Sequence, residues 1–262
     1  MNIFKRELRV GLKPFLFWLI GLFLLCFAGI IKFESYTESG SMTELVASFP
    51  RIVLAVMGAV GVDIGTLAGY TVLLFYYVLI CTVIYAVHLG ASAVGRESVD
   101  KTYEFLFAKP RSRSYILSMK LVSAYLYLML LCAFNGLFAM MAVDYLNTSE
   151  TITGVIWLCV LTVFFIGALF LAVSAFFASM AERPEKGTLY GNLVFLYAFI
   201  LGVVYNMLEN PGLLKLITPF NYFSSADLIA EYLDPTYVVI TIALTILLLF
   251  GTFVKFKNKD LK

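Results

Sequence analysis

The sequence predicts an all-α integral membrane protein with six transmembrane helices, on the grounds of its composition and its apolar runs. Of its 262 residues, 61% are hydrophobic and only 14% are charged, whereas soluble domains are usually about a quarter charged. Six apolar runs bounded by charge are long enough to cross a hydrocarbon core, which takes about 20 residues. The rest of the chain is too short for a separate soluble catalytic domain, so we expect one helical bundle.

The six runs give the predicted spans and a single six-helix transmembrane domain over residues 14–262. The second and fourth runs are the longest, at about 45 Å in helical form, and exceed a hydrocarbon core of about 30 Å. We therefore expect these two helices to tilt or to project into water. The predicted spans cover residues 14–31, 66–94, 121–142, 152–181, 188–208 and 237–254.

Basic residues divide unequally between the two sides of this layout. Sixteen of the nineteen lysines and arginines fall before the first span, in the connections after the second and fourth spans, or in the C-terminal tail. Only Lys32, Arg51 and Lys215 fall on the other side. Lys and Arg accumulate on the cytoplasmic side of membrane proteins, so both termini are predicted to be cytoplasmic. The net charge of +2 gives no indication of nucleic-acid binding, which depends on massed positive charge.

Residues 1–13 are predicted to form an amphipathic elbow helix that lies in the headgroup region. Phe4, Leu8 and Leu12 recur every four residues, and basic residues occupy the other faces. This pattern is typical of interfacial helices. A frayed basic tail is the alternative.

Two outer connections, residues 32–65 and 209–236, are too long to be simple turns. Each contains an apolar stretch, Leu45–Val62 in the first and Leu213–Ile229 in the second, that is too short or too interrupted to span a membrane. We expect short outer re-entrant helices there. Such segments are compatible with a membrane only when they pack against the bundle.

Residue types that carry chemistry are scarce inside the spans. His88 is the one histidine, and a packed or interfacial role is the favoured interpretation. No carboxylate is predicted at mid-membrane depth. The spans therefore lack the ionisable groups that a proton-driven carrier or an intramembrane protease needs. The four cysteines are too widely spaced for a metal or redox motif. We therefore assign no catalytic residue, no metal site and no nucleotide site to this chain.

Small and amide residues suggest where helices approach one another. Gly61, Gly65 and Gly69 are spaced four apart, and so are Gly187 and Gly191. Such spacing allows close contact between helices, within one chain or between two copies. Three asparagines are candidates for interhelical hydrogen bonds or for substrate contacts: Asn135, Asn192 and Asn206.

The first cytoplasmic connection contains a short amphipathic pattern. Asp100 is a suitable helix cap, and Pro110 ends the pattern. Tyr103, Leu106 and Phe107 form one apolar face. From these residues alone, such a helix either lies on the membrane surface or docks into another protein.

This connection resembles the first intracellular loop of ABC transporter permeases of the type-2 exporter class. In that family the loop carries an acid, then a Thr-x-Glu-x-Leu helix, then Pro-x-x-Arg. Lys101 stands where many members have glycine, so the turn into the helix differs. The matching positions are Glu97, Thr102, Glu104, Leu106, Pro110 and Arg113.

The resemblance extends over most of the chain in the family's order. Besides the basic elbow, its signals are Pro50 before the second span, Gly69-Tyr70 at the start of that span, Thr218-Pro219-Phe220 in the last outer loop, and the tail Phe256–Leu261.

The resemblance implies a function. The loop would be a coupling helix that sits in a cleft of a separate ATP-binding subunit, and Tyr103 and Phe107 would belong to its contact face. Two ATP-binding subunits, which would bind ATP and Mg, and a second permease copy or a paralogue would complete the transporter. The chain would then export a substrate across the cytoplasmic (inner) membrane of a prokaryote. The aromatic content, 24 Phe and 16 Tyr, suits a hydrophobic or amphipathic compound such as a drug, a peptide or a lipid-like molecule.

Two other functions stay open at this point. The first is a membrane scaffold or immunity protein that binds a peptide or a partner through its outer loops and needs no ATPase. The second is an intramembrane enzyme that acts on lipid. Its acids would come from the outer side: Glu209, Asp227, Glu231 and Asp234.

Overall fold

The computed structural model describes residues 3–37, 46, 48–99, 112–148, 150–181, 185–208 and 212–257. In this part of the chain all regular structure is helical. Two 3-10 turns, Gly212–Ile217 and Pro219–Asn221, precede α8. The α-helices are α1 (Ile3–Ile31), α2 (Phe33–Thr37), α3 (Arg51–Met57), α4 (Leu67–Val99), α5 (Arg113–Leu146), α6 (Thr153–Met180), α7 (Glu185–Met207), α8 (Ser225–Ile229) and α9 (Pro235–Lys257).

Six of these helices are long and apolar enough to cross a membrane: α1, α4, α5, α6, α7 and α9. The prediction of an all-α protein with six spans is confirmed. The second and fourth spans, α4 and α6, have 33 and 28 residues and exceed the hydrocarbon core as expected, but the longest helix is α5, with 34 residues. Helix α5 begins eight residues before its apolar run, at a polar segment where the Ser112 hydroxyl accepts the Tyr115 N–H at 3.2 Å. That N-cap, rather than hydropathy, sets the start of the helix.

The beginnings and ends of the helices follow from local hydrogen bonding. Before α4, the Thr66 hydroxyl donates to the Asp63 carbonyl at 2.9 Å and accepts the Gly69 N–H at 3.1 Å. Before α9, Asp234 accepts the Thr236 N–H at 2.9 Å, and Pro235 stands at the first helical position, where its missing N–H costs nothing. Helix α3 ends at Gly58, whose φ of 75° is a left-handed C-cap conformation.

Helix α6 is the centre of the bundle. In its most apolar window 72% of the residues are buried, compared with 11% in α9. Its interface with α4 is the most extensive between helices of the described chain, and α9 also packs on α6, whereas α1 packs chiefly on α5. The outer faces of α1, α7 and α9 are apolar, as expected for surfaces that contact lipid.

The first helix runs without a break from Ile3 to Ile31, with Pro14 inside it. The predicted elbow segment is therefore continuous with the first span instead of forming a separate helix. Its residues pack on the bundle, because Ile3, Glu7 and Gly11 are buried. A location of this segment in the headgroup region stays a prediction.

Successive long helices alternate in direction, so the bundle has two distinct ends. We call the end with both chain termini the terminal end and the opposite one the distal end. At the distal end the Tyr70 hydroxyl donates to the Gly29 carbonyl at 3.1 Å, which joins α4 to α1. The short helices α2, α3 and α8 also lie in the distal connections, where short helices were predicted.

Candidate functional site

An ion pair connects two helices at the terminal end. Glu7 in α1 accepts a hydrogen bond from Arg96 in α4, with 3.1 Å between Oε2 and Nη1. The two side chains are 6% and 23% exposed, so the pair is mostly shielded from water. The Tyr127 hydroxyl of α5 donates to the Leu8 carbonyl. These contacts hold the first turns of α1 against α4 and α5.

The predicted coupling segment falls between α4 and α5. Glu97 lies in the last turn of α4, and Arg113 is the first residue of α5. Arg113 donates to the Lys257 carbonyl at 3.5 Å, which brings the start of α5 to the end of α9. The other predicted members lie outside the described residues: Thr102, Tyr103, Glu104, Leu106, Phe107 and Pro110.

The first glycine series does not share a helix face, and that part of the expectation is wrong. Gly61 and Gly65 precede α4, and only Gly69 is helical. Gly61 has a φ of 71° and Gly65 donates its N–H to the Asp63 carboxylate at 2.9 Å, so both belong to the turn that leads into α4. Even spacing was misleading because turn glycines and helix glycines look alike in a sequence.

Gly187 and Gly191 both lie on α7 where it packs on the rest of the bundle. A methyl group at Gly187 would be 2.5 Å from the Ala178 Cβ of α6. A methyl group at Gly191 would be 2.8 Å from Val87 and 2.9 Å from the Ser174 hydroxyl. Their close approach is therefore within one chain; a contact with a second copy stays a proposal.

Sequence reasoning missed a very close contact between two long helices, α4 and α6. A methyl group at Gly90 would lie 2.2 Å from the Leu171 carbonyl oxygen. Beside it, the buried Ser174 hydroxyl donates to the Val87 carbonyl at 2.6 Å. A single glycine and a single serine without a repeat give little signal in one sequence.

A cavity of about 170 Å³ opens at the distal end. It lies among α4, α6 and α7, the turn after α3, and the segment from Phe220 to Leu228. Gly61 and Ala226 are exposed and mark its mouth. Its deepest residue on α4, Leu79, is about 18 Å along the helix from Leu67. We call it the distal cavity.

The distal cavity combines apolar and hydrogen-bonding walls, and none of its described lining residues is charged. Val72, Phe75 and Val163 contribute apolar surface. Among the described residues, the buried Thr162 hydroxyl has no hydrogen-bond partner, and neither has the Asn221 side-chain oxygen. Buried polar atoms are seldom left this way unless water or a ligand completes them.

Two polar contacts hold the walls of the cavity together. The Asn221 amide donates to the Asn206 side-chain oxygen at 2.7 Å, which ties the distal segment to α7. Arg51 of α3 donates from Nε to the Asn206 carbonyl and from Nη2 to the Leu208 carbonyl, both at 3.3 Å. One guanidinium thus fixes α3 against the C-terminal end of α7. Of the three asparagines singled out in the sequence, Asn206 is the one at this cavity.

The Thr218-Pro219-Phe220 motif anchors the distal segment in the bundle. Thr218 is fully buried. Its hydroxyl oxygen lies 3.1 Å from both the Leu214 and the Lys215 carbonyl oxygens and donates its hydrogen to this pair. Phe220 packs against Phe170 of α6 and Phe195 of α7, with ring centroids 5.5 and 5.8 Å away. The hydroxyl of nearby Tyr222 donates to the Leu216 carbonyl at 2.7 Å, and burial raises the pKa of this residue.

The other candidate residues do not converge on one site. The His88 side chain is exposed on α4, so of the two roles expected for it the packed one is wrong and the interfacial one stays a prediction. All four cysteines are free, and Cys159 lines the distal cavity. Glu231 lies over Gly154, where a methyl group would be 2.3 Å from Oε1. Among the described residues no three His, Cys, Asp or Glu side chains are close enough to hold a metal ion; Glu209 lies outside the described residues.

One comparison with known proteins identifies a relationship over nearly the full length of the chain. A family model described as "ABC-2 family transporter protein" matches residues 1–261. No curated protein matches the chain.

Proposed function

The chain belongs to the ABC-2 family of transporter proteins, and from that premise we propose that it exports its substrate with energy from separate ATP-binding subunits. Family membership makes it a multi-pass membrane protein and the permease subunit of an ABC transporter. The direction, the substrate and the composition of the complex are the proposed part. The substrate we propose is a hydrophobic or amphipathic compound, and the complex contains two permeases and two ATP-binding subunits that bind ATP and Mg.

The lengths of α4 and α5 are the observation that carries this proposal. The two helices have 33 and 34 residues, or about 50 Å each, against a hydrocarbon core of about 30 Å. They are consecutive, and the connection between them carries the Thr-x-Glu-x-Leu and Pro-x-x-Arg pattern. Two projecting helices joined by this connection can transmit a movement of a partner outside the membrane to the bundle. We call α4, α5 and their connection the lever.

Charge supports the cytoplasmic location of that lever. Arg96, Arg113, Lys186 and Lys257 all lie at the terminal end, at or near the ends of long helices. Basic residues favour the cytoplasmic side, where ATP is available. The terminal end therefore faces the cytoplasm, and the distal end faces outward.

The contacts at the terminal end give the lever a path into the bundle. Movement of the α4 tip acts on α1 through the Arg96–Glu7 ion pair, and movement of α5 acts on α1 through Tyr127 and Leu8. Packed helices respond to such a push by rigid-body shifts between discrete arrangements. The three helices then move as a unit and expose the substrate path alternately to each side.

Purification of the tagged chain from its native membrane, with an ATPase assay on the eluate, tests this function. We expect an ATP-binding subunit to copurify, and Glu104→Lys or a Tyr103/Leu106/Phe107→Asp variant to lose that subunit and its stimulated ATP hydrolysis. Glu150→Lys is the matched control, because Glu150 is exposed at the distal end. An ATPase-free permease under conditions that preserve other complexes would instead favour the scaffold or immunity function.

A further inference from the structure

The distal cavity is formed by residues of one chain, and its volume and lining determine which ligands fit. Its volume of about 170 Å³ is similar to that of an engineered protein cavity, roughly 150 Å³, that binds benzene. It is therefore large enough for one aromatic ring or a comparable apolar group. Its mouth at Gly61 and Ala226 is open at the distal end.

The apolar wall favours a ring or an aliphatic group over water. Phe75, Val163 and Phe223 line the cavity, and none of these side chains offers a hydrogen bond. A buried water needs two to four polar partners. Water is therefore poorly held along this wall, and an apolar group that displaces it gains free energy from burial.

The polar wall defines the rest of the ligand. The Asn221 side-chain oxygen accepts only, whereas the Thr162 hydroxyl both donates and accepts. Both oxygens are buried and without partners among the described residues, and each carries a desolvation cost that a ligand removes once the side chain turns toward the cavity. A ligand with a hydroxyl or an N–H group meets this requirement. A charged ligand does not, because no described lining residue carries a compensating charge.

We infer that the distal cavity binds a neutral amphipathic molecule that has an aromatic or short apolar body and a hydroxyl or N–H group. This inference rests on the proposed function, since it narrows the exported compound to this class and locates part of it in the distal half of one permease. The apolar body contacts Phe75 and Phe223, and its donor reaches Asn221 and Thr162 after these two side chains turn toward the cavity.

Photolabelling of the purified full chain in lipid nanodiscs tests the site. The probe is a benzyl alcohol that carries a trifluoromethyl diazirine, with unlabelled benzyl alcohol as the competitor. We expect saturable labelling of peptides that contain residues 72–79, 159–163 and 220–228, and loss of that labelling in excess benzyl alcohol. The assay contains no ATP and no partner subunit, so its result is independent of the coupling experiment above.

Two matched pairs of variants make the result specific. Thr162→Val removes one hydroxyl. We expect it to raise the concentration of unlabelled benzyl alcohol that halves the labelling about three- to tenfold. Thr82→Val removes another buried, unpartnered hydroxyl, one that does not line the cavity, and leaves competition unchanged. Ala226→Phe closes the mouth and abolishes labelling, whereas Ala230→Phe, at an exposed position outside the lining, preserves it.

Three results would overturn the inference. The first is the absence of labelling in these peptides, which would mean that the cavity holds water only. The second is labelling that rises without saturation and spreads over lipid-facing helices. The third is saturable labelling that Ala226→Phe and Thr162→Val leave intact.

Discussion

Glu7, the fifth residue of α1, forms a 3.1 Å ion pair with Arg96 near the end of α4. Arg96 lies immediately before the segment whose pattern predicts a coupling helix. The pair therefore gives the N-terminal helix a direct electrostatic connection to that segment. Nothing in the spacing of the sequence points to this contact, since 89 positions separate the two residues.

We expect Glu7→Gln to lower the melting temperature of the purified chain. Arg96 would keep its charge in a partly shielded position but lose the carboxylate partner that Glu7 supplies. The expected loss of folding free energy is about 1–3 kcal/mol. We expect a value in the lower half of that range because Arg96 is 23% exposed. A thermal unfolding assay in detergent measures the change. Glu150→Gln, at an exposed position, is the control, and equal melting temperatures for the two variants would contradict the prediction.

Gly90→Ala is predicted to disrupt the packing of α4 on α6. The added methyl group would lie 2.2 Å from a backbone oxygen, that of Leu171, and backbone cannot move aside by a change of rotamer. Gly21→Ala meets nothing within 4 Å and is expected to be neutral or to stabilise α1 by up to about 1 kcal/mol. Monodispersity and thermal unfolding of both variants, compared side by side, decide the matter.

Alanine substitutions at Gly58 and Gly61 distinguish the cost of backbone strain from the cost of a steric clash. Both have positive φ, 75° and 71°, so alanine at either position costs about 1–2 kcal/mol. At Gly58 the methyl group would also lie 2.5 Å from the Tyr76 ring, whereas at Gly61 it would meet nothing within 4 Å. We expect Gly58→Ala to lower the melting temperature further than Gly61→Ala.

A second variant checks that interpretation. Combining Gly58→Ala with Tyr76→Leu is expected to return the melting temperature toward that of Gly61→Ala combined with Tyr76→Leu. If the two alanine variants unfold at the same temperature, the contact with the Tyr76 ring has no energetic role.

Arg51→Lys is predicted to loosen the wall of the distal cavity. A guanidinium reaches the Asn206 and Leu208 carbonyls together, but an ammonium cannot reproduce that geometry. Access is measured at Cys159, which lines the cavity and is 1% exposed, after Cys26, Cys81 and Cys132 have been replaced by alanine.

We expect a water-soluble methanethiosulfonate reagent to modify Cys159 several times faster in Arg51→Lys. Arg9→Lys, at an exposed position of the terminal end, controls for the charge-conserving change itself. Identical rates in both variants would show that Arg51 does not close the cavity.

The number of helices was predictable from the sequence because membrane burial leaves a strong signal. A run of apolar residues must span the hydrocarbon core, and such runs occur by chance too seldom to be confused with other structure. The boundaries were less predictable. Helix α5 extends to Arg113 through polar residues, which a hydropathy pattern does not register, and the Ser112 cap that explains it is a single residue.

The candidate site was predictable only where a local pattern carries it. Thr218-Pro219-Phe220 and Asn206 were singled out and lie at the distal end, beside or in the wall of the cavity. Thr162, Asn221 and Arg51 depend on contacts between segments distant in sequence, which a single sequence does not reveal. The prediction from the glycine spacing failed for a related reason. Gly61 lies in a turn, whereas Gly90, which belongs to no repeat, lies where two helices cross.

The central position of α6 has a consequence for how the protein is made. Helix α4 finds its largest partner only when α6 is complete, and 81 positions separate Val99 from Met180. At about 5–20 residues per second, a ribosome needs roughly 4–16 s to supply that length. During this interval α4 sits in the bilayer with Gly90 and Val87 not yet covered by α6. Lipid or an insertion factor must therefore shield the groove on α4 until the fourth span arrives.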